Sequence, residues 1–221
     1  MSEKQVYYVS DKMTQFSNFS NLHEVPDEVY SRGNSTIMIY PGEYVSPFTG
    51  DGAKKLNNIT FIGIGPKQDV IIHGPVNIAA NSEGTFHFEN LTIKGENASS
   101  TGDKACIHKL GIANAGHIYC KAMKMSNCEH GVKIDTAIAT QAAFTNGQAL
   151  HARMCEWNGV DQAIKSNANV HIEYSKMNAS SNAYFTHNGS GAPSLHVKVL
   201  ASHSGGSNTG NNTETIQALI S

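Results

Sequence analysis

Apolar and polar residues alternate with a period of two in short runs along this chain, and the runs recur. Residues 86–93, 118–125, 150–157, 170–177 and 195–202 align without internal gaps. Each reads apolar-x-apolar, two residues, then apolar-x-apolar, as in Ile118, Cys120, Met123 and Met125. Alternation of period two predicts a strand with one buried face. The two-residue break shifts the alternation, so the chain bends there and begins a second short strand.

A second register follows the first. Seven residues beyond the last apolar position comes another, from Met125 to Val132, Trp157 to Ile164 and Met177 to Tyr184. The segment starts at 86, 118, 150, 170 and 195 are 32, 32, 20 and 25 residues apart. Gly-, Asn- and Ala-rich stretches carry the extra length and read as loops. Repeats of this kind stack strands about 4.8 Å apart over one continuous core. The expected fold is all-β: a single-stranded right-handed parallel β-helix, or solenoid, with a short N-terminal capping helix and a C-terminal arm.

Met13, Phe16, Phe19 and Leu22 recur every three residues, as on one face of a short helix, and Pro26 is read as its stop. Residues 205–212 are Gly/Asn-rich and read as a flexible connector, and 215–220 as a last strand or arm. The expected organisation is residues 1–34 as N-terminal strand and capping helix, 35–203 as the parallel β-helix, and 204–221 as connector and arm.

Composition narrows the function. The formal net charge is −2 and only 15% of residues are charged, which gives no footprint for nucleic acid or an anionic membrane. No apolar stretch is long enough for a signal peptide or a membrane span, so synthesis in the cytoplasm is expected. The four cysteines, Cys106, Cys120, Cys128 and Cys155, form no C-x-x-C pair. They are read as reduced, with Cys120 and Cys155 in core columns.

Residues 35–44 (Ser-Thr-Ile-Met-Ile-Tyr-Pro-Gly-Glu-Tyr), 56–65 (Leu-Asn-Asn-Ile-Thr-Phe-Ile-Gly-Ile-Gly) and 70–74 (Val-Ile-Ile-His-Gly) resemble the opening of pectin-lyase-like proteins, pectinesterases above all. The resemblance covers about a fifth of the chain and implies the parallel β-helix. It does not extend to the family's chemistry. The paired Asp and Arg segments of pectinesterases, the acidic sets of polygalacturonases and the Ca²⁺-binding Asp cluster of pectate lyases have no counterpart here. The remaining repeats resemble pectin-lyase-like proteins only in pattern; their richness in Asn, Ser, Thr and Gly, with the expected fold, resembles virion β-helix proteins of phage.

Candidate chemistry is sparse. Glu129 and Asp161 precede Val132 and Ile164 by three residues each, so they are expected side by side on neighbouring repeats. Two such carboxylates suit glycoside hydrolysis or Ca²⁺, or are solvated turn acids. Arg153 lies between Lys121 and Glu173 and could bind a sugar carboxylate or form a surface ion pair. If the chain is an enzyme, Glu129, Asp161 and Arg153 are its candidates. Trp157 falls on the inward side. His87, Tyr119, His151, His171 and His196 share one outward slot of the repeat, as a ladder of stacked rings, a partner-binding stripe or, least favoured, a metal site.

Three readings compete: a non-enzymatic structural or binding protein of a virion surface (capsid decoration, fibre or spike module), a carbohydrate-active enzyme on acidic polysaccharide, and a non-catalytic glycan-binding module. The first is preferred. Its expected partners are proteins, capsid or its own subunits, with a homotrimer as the phage-like assembly and a surface glycan as a further ligand. No catalytic set, no metal site and no cofactor are expected.

Overall fold

The computed structural model describes residues 4–12, 15–48, 54–95, 104–110, 116–135, 150–166 and 170–179. The strands among them are β1 (Gln5–Val9), β2 (Ser35–Ile39), β3 (Gly42–Val45), β4 (Asn57–Gly63), β5 (Val70–His73), β6 (Val76–Ile78), β7 (Glu83–Glu89), β8 (Thr92–Lys94), β9 (Ala105–Lys109), β10 (Gly116–Lys121), β11 (Lys124–Ile134), β12 (Leu150–Arg153), β13 (Glu156–Ser166), β14 (Val170–Glu173) and β15 (Lys176–Ala179). Their pairings are all parallel.

The strands sort into two sheets. The first has seven strands in the order β1-β2-β4-β7-β10-β12-β14. The second has eight, β15-β13-β11-β8-β5-β3 with β9 joining β11 to β6. This corrects the expected fold class: the chain is a two-sheet parallel β structure and not a single-stranded right-handed parallel β-helix or solenoid. The reason lies at the two-residue break. Its second residue has positive φ in each of the four described repeats: Asn90 (55°), Ala122 (53°), Met154 (54°) and Tyr174 (48°). A left-handed residue turns the chain sharply, so the two halves of each repeat join different sheets instead of forming one bent ribbon.

The gapless alignment of the repeats is also their pairing register. Phe86 pairs with Ile118, Ile118 with Leu150, and Leu150 with Val170 in the first sheet. Ile93 pairs with Met125, Met125 with Trp157, and Trp157 with Met177 in the second. These columns are buried, with Trp157 wholly enclosed. At the N-terminal end the core is aromatic: Phe61 stacks on Phe88 with centroids 5.2 Å apart, and Phe48 meets Tyr30 edge-on at 5.0 Å. All four cysteines are buried and free, which suits small core hydrophobes.

The N-terminal helix is not where the three-residue recurrence placed it. Met13 is outside the described residues, Phe19 forms a parallel bridge with Val9, and Leu22 opens a short 3-10 turn, Leu22–Glu24. Asn21 caps that turn by accepting the Glu24 N–H at 3.1 Å, and the Glu24 carboxylate takes the Ser20 N–H at 2.7 Å. The helix, α1 (Asp27–Arg32), begins after Pro26 instead of ending there. Proline lacks an N–H and has its φ preset, so it fits a helix start better than its interior. Helix α1 buries Val29 and Tyr30. The Tyr30 hydroxyl donates to the Leu22 carbonyl at 2.8 Å.

The segment around Asn18 covers the outer edge of β1. Asn18 and Phe19 donate to the Tyr8 carbonyl at 2.8 and 3.1 Å, and Asn18 Oδ1 accepts the Tyr8 N–H at 2.8 Å. An otherwise bare row of strand donors and acceptors is thereby partly satisfied. The connector and arm, residues 204–221, lie outside the described residues, as does the repeat at 195–202. Among the described residues no helix is long and apolar enough to cross a membrane.

Two outcomes follow from the packing. A Cβ at Gly131 would collide with the Trp157 indole and the Ala163 carbonyl oxygen. Gly131→Ala is therefore expected to destabilise the chain by about 1–3 kcal/mol in urea unfolding; an unchanged midpoint would contradict this placement of Trp157. Lys109 is buried in β9, between β6 and β11, with Nζ donating to the Ala79 carbonyl at 3.1 Å, and burial pushes its ammonium down to about 8. Below pH 8 the lysine is charged folded or unfolded, and the burial cost is fully present. Between pH 8 and its ordinary value, the unfolded chain holds the proton that the folded chain has lost, so stability rises with pH. The expected gain is roughly 3 kcal/mol, read as a difference in unfolding free energy between wild type and Lys109→Met from pH 7.5 to 10.5. A pH-independent difference would refute it.

Candidate functional site on the outer face of the first sheet

Period-two alternation sends every second side chain of the first sheet outward, and parallel register aligns them in columns. One column runs Val6, Thr36, Thr60, His87, Tyr119, His151, His171. Its neighbour runs Tyr8, Met38, Ile62, Glu89, Lys121, Arg153, Glu173. The face is thus apolar toward β1, ringed in the middle, and charged toward β14.

The rings touch in series. His87 stacks on Tyr119 with centroids 4.8 Å apart and planes 9° apart. Tyr119 lies 5.8 Å from His151, and His151 meets His171 edge-on at 4.9 Å. Partial burial, the larger influence, lowers the His87 pKa from its ordinary value, with Glu89 opposing. His196 is outside the described residues, so the column is established for four of its five members.

Beside the last two histidines stands Glu173. His171 Nε2 is 2.8 Å from Glu173 Oε1, and His151 Nε2 is 3.7 Å from Glu173 Oε2. Arg153 Nε lies 3.9 Å from Oε2, and its guanidinium carbon sits 5.7 Å from the Tyr174 ring centroid. The hydrogen bond from His171, with the charges of His171, His151 and Arg153 behind it, holds the Glu173 carboxyl below the ordinary carboxylate range. Across the column, Lys121 pairs with Glu89 at 2.6 Å.

The three enzymatic candidates are not assembled. Cys128 pairs with Val160 and His130 with Gln162, which sets Glu129 and Asp161 at neighbouring positions of β11 and β13. Both are exposed, and Glu129 Oε1 lies 3.6 Å from the buried His130 Nε2. Arg153 belongs to the other sheet, between Lys121 and Glu173. Trp157 is enclosed in the core and presents no platform to a sugar.

Two further clusters were not legible in the sequence. His108 Nε2 lies 2.6 Å from Asp135 Oδ2, and Lys133 Nζ lies 3.2 Å from Oδ1. Burial raises the Asp135 pKa, but His108 and Lys133 outweigh it and the net shift is downward. His108 lies in β9, which the repeat alignment does not include. At the other end of the first sheet an open depression of about 520 Å³ is lined by Lys4, Asn34, Asn58, Thr60, Thr85 and His87, among others. Asn58 Oδ1 accepts the Thr85 N–H at 3.0 Å.

No family model matches the chain, and no match is found among curated proteins or solved structures. Nothing in these comparisons indicates a relation to pectinesterases or a phage origin.

Glu129→Gln combined with Asp161→Asn is expected to leave the fold intact and unfolding within about 0.5 kcal/mol of wild type, as for exposed side chains. A larger loss, or loss of a polysaccharide-cleaving activity present in wild type, would restore the pair as a working site.

Proposed function

We propose that this chain is a non-enzymatic structural and binding protein that docks through the outer face of its first sheet onto further copies of itself. The observation that carries the reading is the in-register outward column His87, Tyr119, His151 and His171, flanked by Val6, Tyr8, Met38 and Ile62. Parallel sheets are ordinarily covered on both faces. Among the described residues no element pairs across this face, and Val6 and Tyr119 are 45% and 36% exposed on it. Aromatic rings with few rotatable bonds suit a docking surface.

Charge favours a cyclic over a two-fold assembly. Glu89, Lys121, Arg153 and Glu173 read negative, positive, positive, negative across four strands. Antiparallel apposition of two such faces would set like charges against each other. Head-to-tail packing of this face on a different surface of the next subunit avoids that, and closes into a ring such as a trimer where the rotation between subunits closes. A virion surface component is the setting that the composition fits. Arg153 lies on a different sheet from the neighbouring Glu129 and Asp161, which supports the non-enzymatic half of the reading.

Sedimentation equilibrium of the full chain tests the proposal. Wild type is expected at a multiple of the 23.7 kDa chain mass. Val6→Glu with Tyr119→Ser is expected at the single-chain mass with an unchanged circular dichroism spectrum. A wild type that sediments as a single chain would overturn the reading.

A further inference from the structure

We propose that His151, His171 and Glu173 form a binding site for one divalent transition-metal ion of the zinc class, open to a further ligand on its outer side. The site follows from the fold. Residues 171 and 173 share the outward face of β14 by period-two alternation, and parallel register sets His151 of β12 directly beside His171. The three donor atoms, one from each residue, all lie within 4.8 Å of one another.

The geometry is close to that of a metal site. Zinc holds imidazole nitrogen and carboxylate oxygen at about 2.0–2.2 Å, which spaces tetrahedral ligand atoms roughly 3.3–3.5 Å apart. The two histidine–carboxylate contacts, 2.8 Å to Oε1 and 3.7 Å to Oε2, lie on either side of that spacing but reach different oxygens; with one atom from each residue the separations fall within 4.8 Å, so the ligands draw together on the ion. Both imidazoles direct Nε2 at the same carboxylate, one at each oxygen.

A second observation points to a ligand. His151 Nε2 is shielded from solvent and makes no hydrogen bond; its nearest carboxylate oxygen is beyond hydrogen-bond distance at 3.7 Å. A shielded ring nitrogen without a partner is unfavourable. A metal ion would satisfy it, and would replace the proton that links His171 to Glu173. Two imidazoles with one carboxylate select zinc, cobalt, nickel or copper ions over calcium or magnesium, which take oxygen ligands. Three protein ligands from two adjacent strands leave coordination positions facing outward, for water or a donor group from a bound partner. Arg153 is the opposing influence, a cation 3.9 Å from the same carboxylate. It is half exposed, and its long side chain can move away from the carboxylate.

The site does not depend on the docking proposal. The test is calorimetric titration of the metal-free full chain with Zn²⁺, and the visible absorption of bound Co²⁺. One ion per chain is expected, with Co²⁺ bands stronger than those of the aqueous ion. His151→Gln, His171→Gln and Glu173→Gln are each expected to weaken binding at least about tenfold, since losing even an outer-shell partner of a ligand costs that much. His73→Gln and His108→Gln are expected to bind as wild type does, as is Val6→Glu alone, which lies on the docking face at the far edge of the sheet. That last variant separates metal binding from assembly. All three target side chains face outward, and circular dichroism verifies that each variant is folded. Absence of stoichiometric binding, or equal binding by wild type and the His151→Gln/His171→Gln double variant, would overturn the proposal.

Discussion

The outer face of the first sheet depends on one constraint: each described repeat must turn at a left-handed residue and still pair in register with its neighbours. Asn90, Ala122, Met154 and Tyr174 occupy that position, and their backbone bonds continue across it. The Asn90 N–H reaches the Lys121 carbonyl at 2.9 Å, that of Ala122 the Arg153 carbonyl at 2.9 Å, and that of Met154 the Glu173 carbonyl at 3.0 Å. For Ala, Met and Tyr a left-handed conformation costs roughly 1–2 kcal/mol each. The paired strands on both sides offset it. Because the corner is held in place, no strand can slip by one residue. A slip would carry Ile172 outward and Glu173 into the core.

How much of this was legible follows from which rules are local. Period-two alternation and the constant two-residue break gave the register of β7, β10, β12 and β14, because a gapless alignment leaves no other pairing of Phe86, Ile118, Leu150 and Val170. The break showed as a bend, yet alternation cannot tell a kinked ribbon from a passage between two sheets. That distinction rests on the φ of Ala122, Met154 and Tyr174, residues whose type does not announce a left-handed turn. The helix was misplaced for a related reason. Four apolar residues spaced by three gave too short a signal, and Phe19 instead helps cover the edge of β1. Lys109 and His108 were hidden because β9 lies between aligned segments, where no repeat supplies a column.

Register also explains why the site residues gather at one end of the sheet. Spacing of 32 residues separates the repeats beginning at 86, 118 and 150, but only 20 separate 150 from 170. Whatever the loop length, pairing brings position 151 beside 171, so sequence distance has no bearing on spatial contact. What differs between repeats is the companion residue two places on. It is Glu89 after His87, Lys121 after Tyr119, Arg153 after His151 and Glu173 after His171. Only in the last does a carboxylate stand where two imidazoles also face. The sequence showed Glu173 as a neighbour of Arg153 and the histidines as a column. The pattern His-x-Glu on a strand, with a second histidine one repeat earlier, is the signal that joins them.

Arg153 then decides between two states of the same corner. Without a metal ion the Glu173 carboxylate is shared among His171, His151 and Arg153, and its proton affinity falls accordingly. The contact from Arg153 is long at 3.9 Å and comes from a side chain that is half exposed, so screening by solvent leaves it weak. The contact from His171 is short, 2.8 Å to Oε1, while Oε2 lies 3.7 Å from His151 Nε2. A divalent ion entering there exchanges one weak ion pair and one proton for three coordinate bonds. It leaves Arg153 free to turn toward the Tyr174 ring, with which it already has a cation–π contact. The arginine beside the candidate ligands therefore tunes their occupancy without blocking it.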